Sequence, residues 1–406
     1  TSARGAAPIK ATNLPPATFD QWAPQAQIEI KTKIPNITPE PLPPKVIASL
    51  PDNLGPKQSP VPDTLVQRAD EIRQPLAETF GGSKATEDAV ARALDYLSRN
   101  QESDGRWTRF STDRSPHRRR NDPRDVALTG LATLAFLASD YTPDKPSLYQ
   151  DNVRLALKFL LEEQRGDGSY RGGGGDMYDQ AIATIALSEA AIMTRDPLYQ
   201  KAAFKGADYL LWAHHKRSGG WRYQPNQTAD TSVTGWCVMA LHSAEQAGFT
   251  VPEGYRSDIL RYLNSVSSGP NRVLVGYQEA RKPGETMTAQ AMFTRMLLGQ
   301  QPTTAQIEEA SRFATRFSPA EWGKDFYHWY YVSLMLMQVQ NETWKTWNKE
   351  MTQTLLSLQR GDGHANGSWD SDGLRNDPGG RVFSTAMATL TLEVYYRYLP
   401  MYAKRP

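Results

Sequence analysis

The feature that most constrains this chain is an alternation, sustained from about Asp63 onward, between two kinds of helical segment. One kind is amphipathic with a 3.6-residue period and charged outer faces: Glu87–Gln101, Tyr149–Gln164, Tyr199–His214, Gly254–Val266, Ala305–Phe317 and Thr343–Gln359. The other is rich in Ala, Thr, Met and Leu and nearly free of charge beyond its first turn: Asp122–Leu137, Asp176–Met193, Asp230–Ala244, Glu285–Leu298, Asp325–Val339 and Arg381–Tyr396. A helix without a polar face must be covered on most sides. The buried segments begin at steps of 54, 54, 55, 40 and 56 residues. Six exposed and six buried helices at that spacing predict a closed double ring, an all-α (α/α)6 toroid of six helical hairpins over residues 64–406. Closure also hides the ends that an open solenoid must cap.

Composition agrees with a large core. Of 406 residues, 39% are apolar, and 12 Phe, 18 Tyr and 10 Trp are present, which excludes wholesale disorder. The formal charge of +2 gives no global field to draw the chain to nucleic acid. No run of about 18 apolar residues reads as a membrane span. The single cysteine, Cys237, excludes an internal disulfide framework and a multi-cysteine zinc site.

Residues 1–63 differ. They hold 13 of the 28 prolines, as in Pro39-Glu40-Pro41-Leu42-Pro43-Pro44. Proline fixes φ and lacks an amide donor, so an extended arm or linker is expected, with a short strand-like patch at Gln27–Ile34. Such an arm suits a tether from a membrane anchor to a folded domain, or a segment that docks on a protein partner. A floppy terminus is the plainer reading. The sequence begins at Thr1 with no apolar targeting segment after it, and processing upstream of Thr1 is the expectation. The arm is the sole basis for expecting a periplasmic or envelope location over a cytoplasmic one.

The loops between outer and inner segments carry a second repeat: Gln101-Glu-Ser-Asp-Gly-Arg-Trp107, Gln164-Arg-Gly-Asp-Gly-Ser-Tyr170, Ser218-Gly-Gly-Trp221, and Gln359-Arg-Gly-Asp-Gly followed by Gly367-Ser-Trp369. Asp-Gly makes a tight turn with positive φ at Gly, the ring packs on a neighbouring hairpin, and Gln is free to bond amides at a helix end. These are structural staples.

In this loop pattern and its register with the helices, the chain resembles squalene–hopene cyclases and protein prenyltransferase β-subunits over roughly residues 85–400. The resemblance implies inner-helix N-termini around a central cavity that accepts isoprenoid chains. It does not carry over the catalytic motifs. Where the cyclases place Asp-x-Asp-Asp-Thr-Ala, this chain has Gln227-Thr228-Ala229-Asp230-Thr231-Ser232, with Ala229 at the position of the acid. A methyl group has no proton to give. Asp325-Phe326-Tyr327-His328 resembles the segment bearing the prenyltransferase zinc histidine, but Glu285-Thr286-Met287 stands where Asp-x-Cys belongs. Arg281 and Lys282 lie where that family grips diphosphate. The thioester proteins of complement type share the toroid, yet Cys237 lacks their Gly-Cys-Gly-Glu-Gln setting and reads as a small buried hydrophobe. No metal or cofactor is expected.

Three buried segments open with polar pairs at i, i+3: Asp122 with Asp125, Asp176 with Asp179, and Asp325 with His328. With Asp230 and Glu285, five helix entries converge on one end of the ring. Capping explains each residue locally, and Pro123 suits a helix start. The alternative is an acidic rim whose carboxylates raise one another's pKa. In that reading Asp179, Asp230, Asp325 and His328 carry chemistry, with Asp176, Tyr178, Tyr327, Arg281 and Lys282 binding ligand. Unrelated (α/α)6 glycosidases and lyases also use paired carboxylates with stacking aromatics. The basic stretch Arg114–Arg124 reads as a solvated loop or as an anion contact such as phospholipid headgroups, which would support peripheral membrane association. His214-His215 suits a helix C-terminus, and Gly172–Gly175 lacks the Lys-Ser/Thr of a phosphate loop. The run Phe326 to Met337 reads as core, or as a wall suited to a lipid chain. The sequence thus favours a divergent, non-catalytic toroid that binds an isoprenoid or lipid ligand or a protein partner, with an enzyme using the acidic rim as the alternative.

Overall fold

The computed structural model describes residues 68, 70–109, 111, 124–170, 176–371 and 379–398. The proline-rich arm with its Gln27–Ile34 patch, Asp122, Pro123, the basic residues Arg114 to Arg120, and Gly172–Gly175 lie outside them. Numbered in chain order, the outer helices are α2 (Lys84–Arg99), α4 (Gln150–Glu163), α6 (Pro197–Ala213), α8 (Glu253–Ser265), α10 (Thr304–Ala314) and α13 (Glu342–Leu358). The inner helices are α3 (Asp125–Ala138), α5 (Met177–Thr194), α7 (Thr231–Gln246), α9 (Glu285–Leu297), α12 (Phe326–Val339) and α14 (Gly380–Leu392). Each inner helix packs on the next, and α14 returns to α3, so the inner ring is closed. Every residue of α3 is buried, as a helix with no charge beyond Asp125 requires. No helix among the described residues is long and apolar enough to cross a membrane.

The loop repeat is what locks one hairpin to the next. Gly105, Gly168, Gly219 and Gly367 all have φ between 86° and 93°. At each, a Cβ would come within 2.1–2.2 Å of a carbonyl oxygen on the following outer helix: Leu155, Lys205, Asp258 and Arg92 respectively. Only glycine satisfies both conditions. The indoles of Trp107, Trp221 and Trp369 donate to the carbonyls of Leu97, Leu210 and Leu355 at 2.7–2.8 Å. The glutamines act differently from the expectation. Gln101, Gln164 and Gln359 donate to carbonyls of the neighbouring outer helix, at Asn152, Ala202 and Ala89, and do not bind helix-end amides through these contacts.

A further brace was missed in the sequence. The backbone N–H of Trp107, Trp221, Val275 and Trp369 donates to Thr129, Thr234, Thr288 and Thr385 on the inner helices, with Gln180 serving Tyr170. The signal was present as a Thr or Gln near the start of five of the six inner segments.

Several elements depart from the periodic reading. Helix α1 (Asp70–Phe80) precedes the ring, α11 (Pro319–Trp322) links α10 to α12, and strands β1 (Ser267–Ser268) and β2 (Leu274–Val275) pair antiparallel before α9. The last inner segment breaks at Glu393 into α14 and a short α15 (Val394–Arg397). That break turns Arg397 into the C-terminal end of the inner ring. There Glu189 of α5 accepts from Arg68 at 2.7 Å and from Arg397 at 3.1 Å, and Arg397 also donates to the Tyr330 hydroxyl at 2.9 Å. Burial opposes ionisation of Glu189, but the two guanidiniums prevail and hold its pKa below the usual range.

Candidate functional site

The opposite end of the axis, where the inner helices begin, holds the residues singled out in the sequence. Asp176, Asp179, Asp230 and Asp325 cap helices there, and Glu285 does not. Asp176 Oδ1 accepts from Tyr178 N–H at 2.8 Å, while Asp179 accepts from Asp176 N–H at 3.1 Å and from Ala127 N–H of α3 at 2.8 Å. Asp179 thereby joins the N-termini of two adjacent inner helices. Asp230 accepts from Val233 N–H at 2.8 Å and lies 3.8 Å from Arg222. Asp325 accepts from His328 N–H at 2.9 Å and from the Trp322 indole at 3.2 Å. Glu285 is ion-paired with Arg316. Orphan amides and the positive helix end stabilise all of these carboxylates.

Their protonation differs with burial. Burial pushes the Asp176 carboxyl up to about 6. Burial, and then the Asp176 charge, push Asp179 well above the carboxylate range, so this pair holds a proton that isolated aspartates would release.

Sequence neighbours on α12 point to different places. Tyr327 faces the ring axis. His328 faces outward: its Nδ1 is 3.0 Å from Thr286 Oγ1, its ring stacks on Trp322 at 4.3 Å, and Trp347 of outer helix α13 stands across it at 5.8 Å. Burial pushes its pKa down to about 3, so the imidazole is neutral. Asp325 and His328 therefore share a face, but that face abuts α11 and α13 and not the axis. Arg281 and Lys282 are exposed on the loop before α9, with Lys282 3.5 Å from Glu279. Among the described residues no cluster of His, Cys, Asp or Glu is arranged to hold a metal ion.

What converges on the axis is mostly apolar and aromatic. Arg124 stands at the edge of a cavity whose walls include Ala127, Leu128 and Leu131 of α3 and Ile182 of α5. Tyr178, Trp236, Tyr327 and Phe383 close it from α5, α7, α12 and α14. The space open to the centre of a water molecule is about 20 Å³. Widened by water's own radius, that is a void about 3 Å in radius, room for a chain end and not for a whole isoprenoid chain. A hydroxyl relay ties three of its wall residues, Tyr178, Tyr327 and Trp236, together through Ser232. Tyr178 donates to Ser232 Oγ at 2.7 Å, Ser232 and Tyr327 hydroxyls are 2.6 Å apart, and the Trp236 indole donates to Tyr327 at 3.2 Å. Sequence reasoning found Tyr178 and Tyr327 but missed Ser232, Trp236, Phe383 and the α3 leucines, which carry no motif.

The fold is an all-α toroid of the terpene-cyclase type. Among solved structures it is similar to a variant of the type II terpene cyclase MstE from Scytonema bound to geranylgeranyl dihydroxybenzoate, with 16% identity, TM-score 0.52, and coverage of 80% of this chain and 99% of that one. A D-mannose isomerase is similar at 11% identity and TM-score 0.53, covering 78% and 98% of the two chains. An α-amylase from Clostridium perfringens is similar at 11% identity and TM-score 0.52, covering 76% and 97%. No family model matches the sequence, and no curated protein does.

Proposed function

We propose that this toroid is a ligand-binding scaffold whose axial cavity receives the branched end of an apolar, isoprenoid-like molecule. The observation that carries the reading is the apolar void at the inner-helix N-termini, walled by Leu128, Leu131, Ile182 and four aromatic rings. The terpene cyclase neighbour, which holds a geranylgeranyl compound, lends support through the shared fold. The acids around the void are engaged in helix caps, and Ala229 supplies no proton, so binding without turnover is the simpler role. The test is calorimetric titration with farnesol and geranylgeraniol, on the wild type and on Leu131→Trp, which fills the void. Stoichiometric binding lost in the variant upholds the reading. Absence of binding by the wild type overturns it.

One observation favours an enzymatic reading as second choice. The Asp176–Asp179 pair stays protonated to higher pH than ordinary carboxylates, and Asp179 accepts from the backbone of Ala127, a residue of the cavity wall. In that case incubation with a geranylgeranyl phenol gives an isomer of unchanged mass and altered retention, abolished by Asp179→Asn.

A further inference from the structure

The two ends of the ring axis are built differently. At the inner-helix N-termini the axis keeps an apolar void, with Trp236 in its wall. At the other end it is crossed by the chain's own flanks. In the closed order of six inner helices α5 is second and α12 fifth, so the two face each other across the axis. Arg397, at the end of α15, bonds to both. Its guanidinium donates to Glu189 of α5 at 3.1 Å and to the Tyr330 hydroxyl of α12 at 2.9 Å, and the side chain is wholly buried. Tyr398 continues the crossing. Its ring stands edge-on to Phe293 of α9 at 5.4 Å, and its carbonyl accepts from Gln338 of α12 at 3.1 Å. Arg68, from the chain before the ring, enters beside α3, donating to Glu189 at 2.7 Å and to the Leu137 carbonyl at 3.4 Å.

A single side chain links the void to this crossing. Trp236 lies parallel to Tyr330 at 6.1 Å, and Tyr330 is the residue that accepts from Arg397. The crossing is charged where the axis is otherwise apolar, and its polar atoms are incompletely satisfied. Arg68 Nε, Arg397 Nε and Oε2 of Glu393, the residue at the break before α15, are buried without hydrogen-bond partners. Buried charge with unmet hydrogen bonds holds a closure less firmly than packed hydrocarbon of the same volume does. The far end is thus shut by groups that regain hydrogen bonds on returning to water, carried on a helix of four residues.

We propose that Arg68, Arg397 and Tyr398 form a latch across the axis, that the latch sets how long an apolar chain the cavity accepts, and that its release extends the blind cavity along the axis. The inference rests on the reading of the cavity as a ligand site and adds the residues that bound its depth.

Farnesol and geranylgeraniol share a branched end and differ by one isoprene unit. Each is titrated calorimetrically into the full chain, wild type and the variants Arg397→Met and Tyr330→Phe. Arg397→Met leaves Glu189 paired with Arg68, and Tyr330→Phe removes only the hydroxyl that accepts from Arg397. In the wild type the extra unit finds no room, so the two alcohols should bind with equal affinity. Arg397→Met should favour geranylgeraniol by at least about tenfold, and Tyr330→Phe by less. If Arg397→Met is insoluble, the ratio in Tyr330→Phe decides. A ratio unchanged by either variant overturns the latch and leaves the apolar cavity reading standing. So does a wild type that already prefers geranylgeraniol by about tenfold. Binding by the variants alone upholds the latch and overturns the reading of the closed ring as the binding form. If neither alcohol binds any of the three proteins, both readings fall.

Discussion

At the scale of single residues, the repeat is held by positions where no other side chain fits. Gly105 combines φ of +92° with a carbonyl 2.2 Å from where its Cβ would be, so Gly105→Ala should cost about 2–4 kcal/mol. Gly254, at the start of α8 with open space around its Cβ position, is the control: Gly254→Ala should be neutral or slightly stabilising. Chemical denaturation of the two variants reads the difference. His328 gives a prediction in pH. Its pKa is about 3 in the native state against 6.5 unfolded, so below 6.5 the unfolded chain takes up a proton that the folded chain refuses. Stability contributed by the neutral imidazole is present above pH 6.5 and is lost as pH falls towards 3, with a limiting slope of about 1.4 kcal/mol per pH unit. His328→Gln, which keeps a partner for Thr286, should flatten the denaturation midpoint across that window. An unchanged pH profile would mean the ring is solvated and not sealed under Trp322.

At the scale of elements, the sequence shows the six outer and six inner helical stretches of the ring, and the structure has a helix at each. The inner starts at Asp176, Asp230, Glu285 and Asp325 are N-caps or first residues, as the entry points read from the sequence imply. What the sequence does not show is which face looks at the axis. A helix apolar all round has no preferred orientation written into its pattern, so Tyr327 and His328 were grouped although their side chains diverge. The axial cavity is equally invisible, because Leu128, Ile182 and Phe383 come from distant repeats and are common core residues. Nor does periodicity reveal α11 or α15, each four residues long and decided by tertiary contacts. The α5–α15 junction yields a prediction. Glu189 is the shared counter-charge for buried Arg68 and Arg397, so Glu189→Gln should cost about 3–5 kcal/mol by leaving two guanidiniums in the interior. Arg68→Met should cost clearly less, since Arg397 and Glu189 remain paired. Equal losses in the two variants, measured by urea denaturation, would show that the Arg68 pair carries the whole effect and the Arg397 pair none.

At the scale of the whole molecule, closure joins the first repeat to the last. Gln359 binds Ala89 and Arg92 of α2, the Trp344 indole donates to Phe80, Asn348 donates to Gly81, and α14 packs on both α2 and α3. The hydrogen bonds among these span 264 to 270 residues of sequence, and the bond of Gln359 to Ala89 and the glycine approach at Gly367 on Arg92 reproduce the contacts between consecutive repeats. A ring whose last joint is built like the others has no structurally privileged starting point. The chain segments that flank it are also near each other, because Arg68 and Arg397 both bind Glu189. Joining residue 398 to residue 68 by a short flexible linker, and opening the chain between Thr250 and Val251 in the exposed α7–α8 connection, therefore preserves every inner-ring contact. Such a permutant should be soluble, keep its helical circular dichroism, and melt in a single transition within about 10 °C of the parent. Two separate transitions would show that the joint between α14 and α3 is weaker than its geometry indicates, and that the molecule behaves as an open stack with two ends.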